Sequence, residues 1–171
     1  MMLIPLAIGT LVAVALIVAV SVLSSHGSNS SSNSQVGTRA AAFDLPALHG
    51  STLRAPYQQG HPTVLLFMAS WCGPCRVEIP HVVDYLAHHD LGNVRVVGVD
   101  TADQRTGALA FVAQDHVGFP VAFDPNSSVA NSFGLAALPD TVFVTAAGTV
   151  ADVVVGPVSD TGLAAGIRAI R

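Results

Sequence analysis

The chain of 171 residues contains two cysteines, and they lie three apart in Trp71-Cys72-Gly73-Pro74-Cys75. A thiolate attacks disulfide sulfur, and two thiols at this spacing can close on each other. Residues three apart on a helix share a face, which brings both sulfurs within disulfide reach. The apolar run Thr63-Val64-Leu65-Leu66-Phe67-Met68 precedes the pair and reads as a buried strand. A helical pattern starts directly after Cys72. That cysteine therefore sits at a helix N-terminus, where unpaired N–H groups and the macrodipole favour an anion. A lowered thiol pKa follows, with Cys72 as the attacking nucleophile. Pro74 suits the first helical turn, where its missing N–H is not needed. A strand–CxxC–helix order points to a redox dithiol, whereas a disulfide framework needs more cysteines.

The elements around the pair follow from periodicity and turn residues. Two short extended pieces, Phe43–Pro46 and Leu48–Leu53, are joined by a turn at His49-Gly50. The helix after Cys72 is expected to reach His89, with Val82, Val83 and Leu86 facing the core and Pro80 kinking it. Val94–Val99 reads as a second strand. Residues 104–116 read as a helix with Leu109, Val112 and Ala113 as its buried stripe. A strand at Pro120–Phe123 and a short helix ending near Gly134 come next. Thr141–Thr145 and Thr149–Val155 form a hairpin around Ala146-Ala147-Gly148, and residues 160–171 close the chain as a helix. The order β-α-β-α-β-α-β-β-α makes an α/β sandwich with a mixed sheet.

Residues 3–23 form an uncharged run of 21 residues, broken only by Pro5, Gly9, Thr10 and Ser21. At 1.5 Å per residue it spans about 30 Å, enough to cross a bilayer. A cleaved signal peptide is the competing reading. The run is long for one, has no basic leader and shows no clear small-residue cleavage site. Residues 1–23 are therefore expected to be a membrane anchor, 24–40 a Ser/Asn-rich flexible linker, and 41–171 the folded domain. Half of the stretch 24–37 is serine. Topology cannot be counted from charge, because no Lys or Arg occurs before Arg39. The net charge of −4 and the absence of any basic cluster exclude a nucleic-acid binder.

Taken together, residues 41–171 resemble the thioredoxin superfamily, and within it the membrane-anchored TlpA/ResA-like thiol-disulfide oxidoreductases, including the cytochrome c maturation thioredoxins. The resemblance rests on Phe43–Gly50, on Ala69-Ser70-Trp71-Cys72-Gly73-Pro74-Cys75-Arg76-Val77-Glu78-Ile79-Pro80, on Phe119–Pro125, on Phe133-Gly134 and on Leu138–Val144. It implies a thioredoxin fold: a three-layer sandwich with a central mixed sheet flanked by helices, an N-terminal hairpin and a central βα insert. It also implies roles for single residues. Cys72 corresponds to the nucleophile and Cys75 to the more buried resolving thiol. Pro139 corresponds to a cis-proline, and Leu138 before it offers its backbone to an extended substrate segment. Trp71 packs beside the disulfide, and Gly73 and Pro74 complete the substrate-facing motif.

Glu78, the chain's single glutamate, corresponds to a carboxyl that tunes the dithiol by exchanging a proton with Cys75. It reads equally as an acid favoured near a helix N-terminus by the dipole. Two positions depart from the pattern. Leu66 stands where thioredoxin has a buried Asp six residues before the first cysteine, and Asp140 follows the proline where Thr is more frequent. Asp140 either raises the cysteine pKa by like-charge repulsion or points into solvent.

The expected activity is disulfide exchange with exported proteins such as apocytochrome c, in the reducing direction, because Gly73-Pro74 resembles the insert of reducing thioredoxins. Outside the cytoplasm this needs a membrane thiol carrier as electron donor, and no cofactor beyond the Cys72–Cys75 disulfide. An oxidant that installs disulfides is the alternative, and a thioredoxin-fold copper chaperone a more distant one. For the last, two thiolates supply half of a tetrahedral site, and His81, His88, His89 and His116 are candidate additions. A peroxidase reading fails on the CxxC.

Overall fold

A computed structural model describes residues 35–171. The expected anchor at 1–23 and most of the expected linker lie outside the described residues. Among the described residues no helix is long and apolar enough to cross a membrane.

A five-stranded sheet organises the domain, and its centre is β3 (Thr63–Met68), whose six residues are all buried. β4 (Arg95–Thr101) lies parallel to β3 on one side, and β5 (Val121–Asp124) parallel to β4 beyond it. On the other side β6 (Asp140–Val144) runs antiparallel to β3, and β7 (Val150–Val155) antiparallel to β6. A short hairpin, β1 (Asp44–Pro46) with β2 (Thr52–Arg54), precedes them. The helices are α1 (Gly73–His88), α2 (Arg105–Gln114), α3 (Ser128–Ser132) and α4 (Asp160–Ile170).

Successive strand residues face opposite sides, so β3 feeds two cores at once. Leu65 and Phe67 pack with Phe43, Tyr57, Val99, Phe133 and Val142 under the N-terminal segment and α3. Val64 and Leu66 pack with Val82, Tyr85, Phe143, Leu163 and Ile167 under α1 and α4. Near the motif, Met68 joins both cysteines, Ile79, Ala108, Phe111 and Val112 in a third cluster between α1 and α2.

The N-terminal segment guards both sheet edges, which would otherwise present unpaired backbone groups. Gly37 and Ala40 donate to Val150 and Gly148 at the β7 edge, and Leu48 donates to Val121 at the β5 edge. The chain is thus bonded to the domain from Gly37 onward, ahead of the boundary at 41.

Element order matches the sequence pattern, with small shifts of boundary. The stripe of α2 differs. It is Ala108, Phe111 and Val112 that are buried, while Ala113 is exposed and Leu109 half-buried. The spacing was legible, but the phase is one residue earlier, because Phe111 anchors the helix against Met68 and the cysteines. α1 runs through Pro80, which has no N–H to offer the Arg76 carbonyl.

Gly166 of α4 tests the fit of helix to sheet, since a Cβ there would run into the ring of Phe143. Gly166→Ala gains helix propensity but overpacks this contact, and a net loss of about 1 kcal/mol or more is expected. A lower urea midpoint at unchanged m-value checks it; a higher midpoint would show that α4 moves freely.

Candidate active site

Cys72 is the N-cap of α1, in extended conformation, and its Sγ accepts the N–H of Cys75 at 3.1 Å. The two cysteines form a disulfide with Cα atoms 5.3 Å apart. Both are buried, Cys75 completely and Cys72 nearly so. When the bond is reduced, the same N–H and helix end stand ready to stabilise a Cys72 thiolate. Gly73 and Pro74 are exposed at the tip of the motif.

Trp71 adjoins Cys72 at the surface of the motif. Its side chain is 61% exposed, and its indole N–H donates to the Ala102 carbonyl at 2.9 Å. The polar end of the side chain finds its partner on the β4–α2 turn, and this draws the ring toward that turn.

The Leu138–Pro139 peptide is cis and leads into β6, which lies beside the end of β3. Leu138 packs against the cluster that contains both sulfurs. The Pro139 carbonyl accepts Gly156 N–H at 2.9 Å, tying the turn to the end of β7.

Glu78 lies in the second turn of α1 and is 4% exposed, a burial that the helix dipole does not require. Its Oε1 accepts Val158 N–H at 2.6 Å. Burial is the main cause that pushes its carboxyl up to about 7; the Val158 N–H opposes this and the nearby Asp140 carboxyl adds to it. Asp140 does not point into solvent. It is buried, its Oδ1 accepts Gly156 N–H at 3.0 Å, and burial holds its pKa above the usual range against that hydrogen bond.

Sequence reasoning missed a second polar cluster on the other flank of the motif. Asp103 accepts Ser70 N–H at 2.6 Å, Ser70 O–H at 3.0 Å and Gln104 N–H at 2.6 Å. Arg76 donates its Nε–H to the Ser70 carbonyl at 2.8 Å and lies over the Phe111 ring. An Asp just ahead of a helix looks like a local cap, and nothing in the sequence showed that it reaches back to Ser70. Among the described residues no group of three or more His, Cys, Asp or Glu side chains is placed to hold a metal ion.

A helix-capping dithiol beside a cis-proline turn, on a mixed sheet ordered β5-β4-β3-β6-β7, defines a thioredoxin-fold thiol-disulfide oxidoreductase. The family model described as AhpC/TSA matches residues 36–153, and the chain belongs to that family. It is 27% identical to the thiol-disulfide oxidoreductase ResA of Bacillus subtilis over 124 residues, 72% of this chain and 69% of that one. It is 31% identical to the thiol:disulfide interchange protein DsbE of Pseudomonas fluorescens over 127 residues, 73% of this chain and 69% of that one. The structure of DsbF from Mycobacterium tuberculosis superposes with a TM-score of 0.68 at 34% identity, covering 75% of this chain and 95% of that one. The protein is an enzyme of the ResA/DsbE type.

Glu78 carries a stability signature. Its folded pKa is above the unfolded value of 4.5, so between about 4.5 and 7 the folded state holds a proton that the unfolded chain releases. The group's contribution therefore falls as pH rises through that window. Glu78→Gln should remove this fall, leaving the oxidised variant more stable than wild type at pH 8 by on the order of 3 kcal/mol, but not at pH 4. Urea unfolding at both pH values measures it.

Proposed function

We propose that the protein is an extracytoplasmic, membrane-anchored reductase of disulfides in exported proteins, apocytochrome c among them. The observation that carries the chemistry is the closed Cys72–Cys75 pair with the buried Glu78 carboxyl one turn beyond Cys75. The cell-envelope location is supported by the apolar run 3–23 and the serine-rich stretch after it. A similar solved structure at 25% identity is described as a secreted disulfide oxidoreductase.

In the reducing direction the Cys72 thiolate attacks one sulfur of the substrate disulfide. A mixed disulfide forms, and the other substrate sulfur leaves as a thiolate that takes up a proton. Cys75 then gives its proton to the Glu78 carboxylate and attacks Cys72 Sγ. The bond between Cys72 and the substrate breaks, and the second substrate sulfur is protonated in turn. The substrate gains two electrons and two protons, and the protein is left with its internal disulfide. A carboxyl at about 7 suits this exchange because both of its states are populated near neutrality. A surface cleft lined by Val77, Glu78, His81 and Pro157–Thr161 gives that proton a route to water. A membrane thiol carrier restores the dithiol, and the cycle needs no cofactor beyond the cysteines.

Substrate contact falls to Trp71, Gly73, Pro74, Leu138 and Pro139. Trp71 and Leu138 both line a groove of about 220 Å³ whose other walls include Ala102, Ala130, Leu135 and Ala137. Among the described residues no charged side chain lines it, so it suits an uncharged stretch of an extended polypeptide.

Equilibration of the full-length protein with glutathione or dithiothreitol series fixes the direction. A potential near −270 mV, about that of thioredoxin, is expected; a value near about −120 mV would make the protein an oxidant. Cys75→Ser should accumulate the mixed disulfide with substrate, and Cys72→Ser should form none. Glu78→Gln should slow resolution of that intermediate by about 10²-fold at pH 7, read by quenched-flow gel analysis.

A further inference from the structure

Asp100, at the end of β4, is 0% exposed, and neither of its carboxyl oxygens receives an N–H or O–H from the protein. Alternation along β4 puts it on the same face as Val96 and Gly98, toward α1 and α2. An ionised carboxylate left this way would cost several kcal/mol. A neutral acid has an O–H to give, and Asp103 is the carboxyl within hydrogen-bonding reach of it.

Among the described residues no cation relieves the two. Arg105 of α2 donates to the carbonyls of Ala47 and Leu48 and lies over Phe123. Arg76 of α1 is taken by Ser70 and Phe111. Asp124 of β5 accepts from Ser128, Val129 and Ala130. From β3, the neighbour of Asp100 is the uncharged Met68. Burial foremost, then the charge of Asp103 and a hydrogen bond with it, push Asp100 up to about 8.

Asp103 in turn holds the strand-to-helix junction. Its three accepted bonds include both donors of Ser70, and the adjoining Ala102 carbonyl holds the Trp71 indole. Helix α2 approaches so closely that a Cβ on Gly107 would lie 2.7 Å from Ser70 Oγ and 3.2 Å from Asp103 Oδ1. Small size is required there.

We propose that Asp100 and Asp103 are a positioning pair for the dithiol: protonated Asp100 donates to Asp103, and Asp103 so held fixes Ser70, Trp71 and the start of α1 at Cys72. Loss of the shared proton sets two carboxylates against each other and loosens the junction. This holds whichever way electrons run through the cysteines.

Trp71 is the single tryptophan, so its emission reports on the junction directly. In the oxidised full-length protein no thiol titrates. Acrylamide quenching of Trp71 is expected to rise with pH, with a midpoint near about 8, and Asp100→Asn, which keeps a donor and cannot ionise, should abolish that rise. Asp103→Ala should raise quenching already at pH 7 and change the alkylation rate of reduced Cys72 by about tenfold, with the far-UV spectrum retained. Asp103→Asn, which keeps an acceptor, should recover part of both. Wild-type quenching and alkylation in Asp103→Ala would overturn the proposal. So would an alkaline transition that persists in Asp100→Asn, a comparison that stands even if Asp103→Ala does not fold.

Discussion

The chemistry depends on one junction. β3 ends at Met68 and α1 begins at Gly73, leaving four residues to carry the chain from sheet to helix. Because β3 is buried on both faces, its end cannot slide without disturbing two cores. The N-terminus of α1 is therefore delivered to a fixed point, and Cys72, as its cap, meets the N–H of Cys75. Parallel β4 brings the Asp103 turn to one flank of that point. Antiparallel β6 brings the cis Leu138–Pro139 turn to another.

Acids rather than bases surround this junction inside the protein. Glu78, Asp100, Asp103 and Asp140 are all buried, and the chain has no lysine. Two means of satisfying a buried carboxyl are in use: backbone N–H groups and retention of the proton. Glu78 and Asp140 draw their N–H donors from Val158 and Gly156, which belong to one short loop after β7. A movement of that loop changes both groups together. It also moves the cis-proline turn, since the same Gly156 N–H binds the Pro139 carbonyl.

What was legible in the sequence is what is decided locally. The apolar run of β3, the cysteine spacing and the hairpin glycine at 148 each state their structure within a few residues. The N-terminal cap of α1 belongs with them. The phase of α2 did not, because it is set by which residue meets Met68 and the cysteines in the cluster between α1 and α2. Trp71 was expected beside the disulfide, and nothing local showed that its indole would meet a carbonyl 31 residues away. Asp140 gave no sign of burial, Asp100 looked like the polar end of a strand, and Asp103 looked like a local helix cap. Their roles arise from tertiary juxtaposition, which composition and periodicity do not encode.

The balance of charge at the junction bears on the redox poise itself. A disulfide becomes a stronger oxidant when the reduced form is stabilised, and the end of α1 does so by favouring a Cys72 thiolate. A carboxylate one turn beyond Cys75 works in the other direction, because it disfavours a second negative charge nearby. With Glu78 poised at about 7, the carboxyl is neutral below that pH and the helix end dominates; above it the carboxylate counters the helix. The absence of the acid at the Leu66 position leaves this duty to α1 itself. In the cycle proposed above, the group that takes the proton, Glu78, is carried by the same helix as both sulfurs, so proton and electron transfer would keep one geometry throughout.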